Sequence, residues 1–272
     1  MIWISDTPPP KAEIPHAAWP RIVLRALALV LIFALGLVLH FLLRLAERPA
    51  AGQRRPLSGR LVQAVCVLVL RVLGLRIRVS GQPMDGAGAL ISNHISWLDI
   101  LVLHAVCPVA FVSKSEVAGW PGIGLLARVT GTVFIRRDRR DARAQTDLFA
   151  ACLGAGQRLM FFPEGTSSDG LRVLPFKTTL FQAFLAPELR AHLNLQPVSL
   201  RYHAPEGADL RLYGWWGEMD FGAHALTVLA QRRQGRVDLV FHEPIAVASM
   251  PDRKVLAATA QAAVRAGFDA LT

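Results

Sequence analysis

Three observations predict an α/β fold, a central sheet flanked by helices, preceded by an N-terminal two-helix membrane anchor. Short β-like runs alternate with helical ones from Arg76 onward, the order that builds a sheet with helices packed on it. Two long apolar stretches precede this region, at Ala26–Leu43 and Leu61–Leu75. The chain is also both apolar and basic, with a mean hydropathy of +0.36 and a formal charge of +10. We divide it into an irregular leader (1–21), membrane-anchoring helices (22–75) and one α/β domain (76–272).

The charge and hydropathy narrow the partners. Basic and apolar together point to an anionic bilayer surface. Nucleic acid competes as a partner for a basic chain, but two Tyr, no zinc-finger spacing and a hydrophobic N-terminal region argue against it. Cys66, Cys107 and Cys152 are odd in number and far apart. They form no metal-ligand pair or disulfide framework, fit a reducing compartment, and read as small core residues. No metal is expected.

Pro8-Pro9-Pro10, Pro15 and Pro20 make the leader irregular. The run Ala26–Leu43 is 18 residues long, roughly 27 Å of helix at about 1.5 Å per residue, just enough to cross a hydrocarbon layer of roughly 30 Å. No convincing small-residue cleavage pattern follows it, so an anchor is favoured over a signal peptide. Five Arg (Arg44, Arg48, Arg54, Arg55, Arg60) against one acid, Glu47, follow this run. If the helix spans, that flank and the domain lie in the cytoplasm. Leu61–Leu75 is apolar over most of its circumference and reads as an interfacial helix. A second span and a core helix of the domain are the alternatives.

Strands are predicted near 77–79, 89–91, 109–112, 132–135, 159–162, 196–201 and 237–241. Helices are predicted near 97–106, 123–128, 142–153, 178–185, 221–232 and 254–266.

Chemistry gathers at strand ends. Asn93-His94-Ile95-Ser96-Trp97-Leu98-Asp99 joins a buried strand to a helix, and of eight His only His94 meets a carboxylate five residues on. Gly131–Arg137 delivers Arg136 and Arg137 at the end of a strand, where the guanidinium fork suits anionic oxygens. Phe162-Pro163-Glu164-Gly165-Thr166 ends another strand in a turn, whose glycine lets backbone N–H groups approach an anion. Ser167 and Ser168 lack the Gly-x-Ser-x-Gly elbow of a nucleophile. Pro197–Tyr202 reads as a core or site-wall strand. Trp215-Trp216 is open between a lip facing lipid or substrate and plain core packing. If the strands run parallel, one crevice holds a base with its orienting carboxylate, an Arg cluster and a glycine turn. That set suits removing a proton from a hydroxyl while an anionic substrate is held.

These blocks, in this order and at these separations, resemble the lysophosphatidic acid acyltransferase (1-acyl-glycerol-3-phosphate acyltransferase, PlsC-like) family over roughly residues 75–245. The resemblance implies a single glycerolipid-acyltransferase domain and transfer of a fatty acyl group from acyl carrier protein or coenzyme A thioester to a lysolipid hydroxyl, with no further cofactor. His94 and Asp99 would be catalytic. Arg136, Arg137, Glu164, Gly165 and Thr166 would bind the acceptor, and Asn93 would shape the turn. Lysophosphatidic acid is the family's default acceptor. Phe111–Pro121 and Phe162–Gly170 also look like the bacterial branch that includes lyso-ornithine lipid O-acyltransferases, and both acceptors stay open. Placement on the cytoplasmic side of a bacterial inner membrane follows. The rivals from other classes are a non-catalytic membrane lipid-binding protein and a lipid or thioester hydrolase.

Overall fold

The computed structural model of the chain describes residues 3–10, 14–51, 55–120, 122–135 and 142–271. The apolar run becomes helix α1 (Trp19–Ala51), followed by α2 (Ser58–Leu73). Then come β1 (Arg76–Ser80), β2 (Gly88–Ser92), α3 (Leu98–Val106), β3 (Ala110–Lys114), α4 (Ile123–Thr130), β4 (Val133–Ile135), α5 (Ala142–Gly154) and β5 (Arg158–Phe161). After a 3-10 segment (Thr178–Leu185), the chain continues through α6 (Pro187–Arg190), β6 (Asn194–His203), α7 (Phe221–Ala230), β7 (Arg236–Phe241), β8 (Ile245–Ala246) and α8 (Arg253–Ala270). The predicted strands and helices fall inside these elements, apart from one or two residues at some ends. The expected helix over 178–185 is 3-10, and the four-residue α6 and the two-residue β8 were too short to leave a periodic signal.

The strands form one sheet in the order β1-β7-β6-β2-β5-β3-β4, with β8 pairing β6. From β6 to β4 all neighbours are parallel, whereas β7 runs antiparallel to β6. The C-terminal ends of β2, β5, β3 and β4 therefore open on the same edge. β2 is buried along its whole length, which explains its unbroken apolar reading. Side chains of β6 alternate between faces. The Tyr202 hydroxyl reaches Asp99 of α3, while Ser199 Oγ donates to the Val264 carbonyl of α8. Helices thus cover both faces.

α1 is the one helix among the described residues that is long and apolar enough to cross a membrane. One stripe of it, including Ile22, His40 and Glu47, is buried. The rest presents Leu24, Leu27, Leu31, Leu35, Val38, Leu42 and Leu45 outward. Gly36 sits where an added Cβ would come within 2.9 Å of Val65, so α1 and α2 touch closely there. Glu47 accepts from the Ser58 N–H at 2.9 Å and from Ser58 Oγ at 2.6 Å, capping α2. At the other end, Arg25 donates to the Leu229 and Gln231 carbonyls. Arg21 bonds the Ala230 carbonyl. Cations at these last carbonyls of α7 complement its dipole.

The second apolar helix corrects one expectation. Cys66, Val69, Leu70 and Leu73 of α2 are buried in the core that also holds Leu98 and Val102 of α3. One face of α2 is thus a core face of the domain, the alternative ranked below an interfacial helix. Amphipathicity hidden under a uniformly apolar composition explains the misjudgement. The irregular leader is tied to the domain: the Trp3 N–H donates to Thr166 Oγ1 at 3.3 Å, and Arg211 holds Thr7 Oγ1 and the Pro8 carbonyl.

Candidate active site

β2 ends at Ser92, and the chain turns through residues 93–97 before α3 begins. Asn93 makes the turn possible. Its side chain donates to the Leu200 carbonyl at 2.8 Å and accepts from the Leu200 N–H at 2.9 Å, copying a strand neighbour where β2 has stopped. Asp99 lies in the first turn of α3, where side chains lean back toward the helix N-terminus. Its Oδ2 consequently accepts from the backbone N–H groups of Ile95 at 2.8 Å and Ser96 at 3.0 Å, and lies 2.7 Å from His94 Nδ1. Its Oδ1 accepts from the Tyr202 hydroxyl at 2.9 Å. Asp99 is fully buried. A buried carboxylate with four donors has its hydrogen-bonding capacity met without a formal counter-ion, and it holds the proton of His94 on Nδ1. Nε2 is left as the basic atom.

The imidazole stacks on Phe162, ring centroids 4.0 Å apart and 11° from parallel. It remains partly exposed in a cleft of 1210 Å³. Phe162, Gly165, Thr166, Trp215 and Trp216 share this cleft with it. Phe149, Phe161, Leu180 and Phe184 add apolar lining, and Lys114 and Arg143 add positive charge. Among the described residues, no group of three or more His, Cys, Asp or Glu is placed to hold a metal ion.

Glu164 corrects the sequence reading. Its carboxylate is 1% exposed, and its oxygens accept from the His94 N–H at 2.9 Å and the Leu174 N–H at 2.8 Å. Glu164 therefore holds the loop that carries His94 and is not one of the residues lining the cleft. Burial pushes its carboxyl up to about 8, against the pull of the two N–H donors and with the Asp99 charge adding to the rise. Gly165 adopts φ 71° as the turn requires. Its N–H, however, closes that turn onto the Phe162 carbonyl at 3.0 Å and is not free for an anion. Gly165 and Thr166 do line the cleft. Arg136 and Arg137 lie outside the described residues. Ile135, just before them, lines the cleft.

Three contacts at the site lay beyond the sequence reading, which leaves Trp215-Trp216 open between a lip and core packing. Tyr202 completes the shell of Asp99, but a tyrosine ending an apolar strand gives no sign of its partner. The Trp215 N–H donates to the Ile95 carbonyl at 2.9 Å, so the Trp loop is fixed onto the loop that carries His94 and serves as a cleft wall. Trp97 Nε1 donates to His224 Nδ1 at 2.9 Å, tying α7 to the same loop. Burial pushes His224 down to about 4, so it is neutral and can accept.

The acyltransferase family model matches residues 76–201. A lyso-ornithine lipid O-acyltransferase of Rhodobacter capsulatus is 50% identical over 267 residues, covering 98% of this chain and 97% of that protein. A 1-acyl-sn-glycerol-3-phosphate acyltransferase of Neisseria meningitidis is 39% identical over 142 residues, 51% of this chain and 54% of that one. The crystal structure of the 1-acyl-sn-glycerophosphate acyltransferase PlsC from Thermotoga maritima shares the fold, with a TM-score of 0.66 and 20% identity over 93% of this chain and 97% of that one. The chain belongs to the PlsC-like lysophosphatidic acid acyltransferase family. It is an acyltransferase that acts on lysolipids.

Proposed function

We propose that this chain is a membrane-associated O-acyltransferase that moves a fatty acyl group from an acyl carrier protein or coenzyme A thioester to the hydroxyl of lyso-ornithine lipid. The observation that carries the acceptor is the extent of similarity. Relatives named as lyso-ornithine lipid O-acyltransferases match nearly the whole chain, at 50% identity over 98% of it and at 36% over 90%. Those named as 1-acyl-sn-glycerol-3-phosphate acyltransferases match about half, 51% and 46%. This reverses the order that the motifs alone suggest. Lysophosphatidic acid is kept as the second acceptor, because the half that does match reaches 41% identity.

In this reading the acceptor hydroxyl gives its proton to His94 Nε2 as its oxygen attacks the thioester carbonyl. The C–S bond then breaks, and the departing thiolate takes the proton back from His94. Asp99 holds the imidazole tautomer and stabilises the imidazolium. No covalent enzyme intermediate is involved. The aromatic lining of the cleft suits the acyl chain, and Arg136 and Arg137 remain the proposed contacts for the polar head. The exposed hydrocarbon face of α1 supports attachment to the inner membrane, with the Arg-rich flank and the domain on the cytoplasmic side.

The test supplies purified protein with a radiolabelled acyl thioester and each lysolipid in turn, beside His94→Ala. Labelled ornithine lipid formed in preference to phosphatidic acid, and only by wild type, is expected. Preferential phosphatidic acid overturns the acceptor. Free fatty acid alone means a hydrolase, and no turnover with either lipid points to a binding protein.

A further inference from the structure

Tyr202 stands where it can set how well the His94–Asp99 pair works. Three donors crowd Asp99 Oδ2: His94 Nδ1, Ile95 N–H and Ser96 N–H. Oδ1 has one partner among the described hydrogen bonds, the Tyr202 hydroxyl at 2.9 Å. Both residues are buried, Asp99 at 0% exposure and Tyr202 at 7%. Burial first, then the Asp99 charge, raises the Tyr202 hydroxyl well above its ordinary range, so it stays a donor throughout the working pH range.

The register of β6 is built for this contact. Asn93 clasps both backbone groups of Leu200, and two residues further along a strand the side chain returns to the same face. Tyr202 is thereby delivered under α3. Behind it, the Tyr213 ring lies 5.2 Å away, and the Tyr213 hydroxyl is spent on Gln234 at 2.8 Å and the Gly235 N–H at 2.7 Å. Tyr202 can thus lean toward Asp99 without a rival acceptor from that side.

We propose that Tyr202 is a positioning residue for acyl transfer: its hydroxyl holds the second oxygen of Asp99, and through Asp99 it sets the orientation and basicity of His94. The inference rests on His94 acting as the general base. Without the hydroxyl, Oδ1 would be a buried charged oxygen lacking a donor, a state that a buried carboxylate avoids by turning or by taking a larger share of the His94 proton. The ring misaligns, and the imidazolium is held more tightly. The ionisable groups facing the pair from the surrounding elements are Glu164 on the loop after β5 and Tyr202 on β6. Tyr213 stands behind Tyr202, and Lys114 and Arg143 look in from the cleft.

The experiment compares wild type, Tyr202→Phe, Tyr213→Phe and His94→Ala across pH. Tyr202→Phe should lower kcat about 10- to 100-fold, as befits the loss of one hydrogen bond to a buried charge. Both KM values should stay unchanged, and the acid limb of kcat/KM should move to higher pH. Tyr213→Phe removes an equally buried hydroxyl that does not touch Asp99, so it should lower Tm while leaving the pH profile in place. A Tyr202→Phe profile superimposable on wild type overturns the proposal, as does the same shift in Tyr213→Phe. An active His94→Ala overturns the base itself, a result distinguishable from either.

Discussion

The backbone N–H of His94 donates to Oε2 of Glu164 at 2.9 Å. The acid of the Phe-Pro-Glu-Gly-Thr block is therefore a bracket between two loops, since its Oε1 takes the Leu174 N–H at 2.8 Å. Glu164→Gln keeps the shape but turns an amide NH2 toward one of the two N–H donors. The orphaned donor should cost about 1–3 kcal/mol of stability, and the displaced loop should lower kcat by at least about tenfold. Thermal unfolding and steady-state kinetics check this. A raised acceptor KM with an unchanged Tm would restore Glu164 to the acceptor site.

The fold was legible because its strands are short, apolar and bounded by turn residues, whereas the antiparallel pairing of β6 and β7 across α7 was not. His94 and Asp99 were legible as a pair because both lie on one short stretch of chain, so spacing alone brings them together. Glu164, Tyr202 and the Trp215 loop come from distant strands, and a single sequence does not reveal which side chain meets which backbone group. Glu164 was misread for this reason: a carboxylate beside a glycine turn looks exposed until the neighbouring loop covers it. The acceptor was illegible in the motifs because, in the proposed mechanism, they serve the chemistry shared by both acceptors.

Asp99→Asn should separate orientation from binding. The Asn oxygen can still accept from Ile95 and Ser96, and its amide can donate to the Tyr202 oxygen, so the fold should persist. His94 Nδ1 would then compete with those N–H groups for one neutral acceptor and lose the charge that supports the imidazolium. We expect kcat to fall on the order of 10³–10⁴-fold with little change in either KM. A loss confined to KM would remove Asp99 from the proton-transfer machinery.

Acid should weaken the fold through two neutral histidines. Burial pushes both His104 and His224 down to about 4. In the unfolded chain each takes up a proton as pH falls through about 6.5. The folded state binds that proton only near 4, so stability declines from about pH 6.5 toward 4, by up to about 3 kcal/mol per group. His224→Gln can still accept from Trp97 Nε1 and donate to the Leu212 carbonyl, the two bonds His224 makes now. Its Tm should therefore fall less steeply than wild type over this pH range. An equally steep fall would assign the acid sensitivity to other groups.

The two sides of α1 should separate membrane attachment from folding. Leu31, Leu35 and Leu42 are 58%, 62% and 55% exposed and lie on the outward stripe. Replacing all three with Glu puts charges where hydrocarbon is expected, at about 2.5–3.5 kcal/mol each near the centre of a bilayer helix. The protein should leave the membrane pellet with its Tm nearly unchanged, because the opposite stripe still packs on α2. Gly36→Leu should do the reverse. Its Cβ would come within 2.9 Å of Val65, prising α1 from α2 and lowering Tm, while the outward stripe still holds the membrane. If the triple Glu variant continues to pellet at high salt, attachment lies on another surface, with exposed Leu68 of α2 and Trp120 the next to substitute.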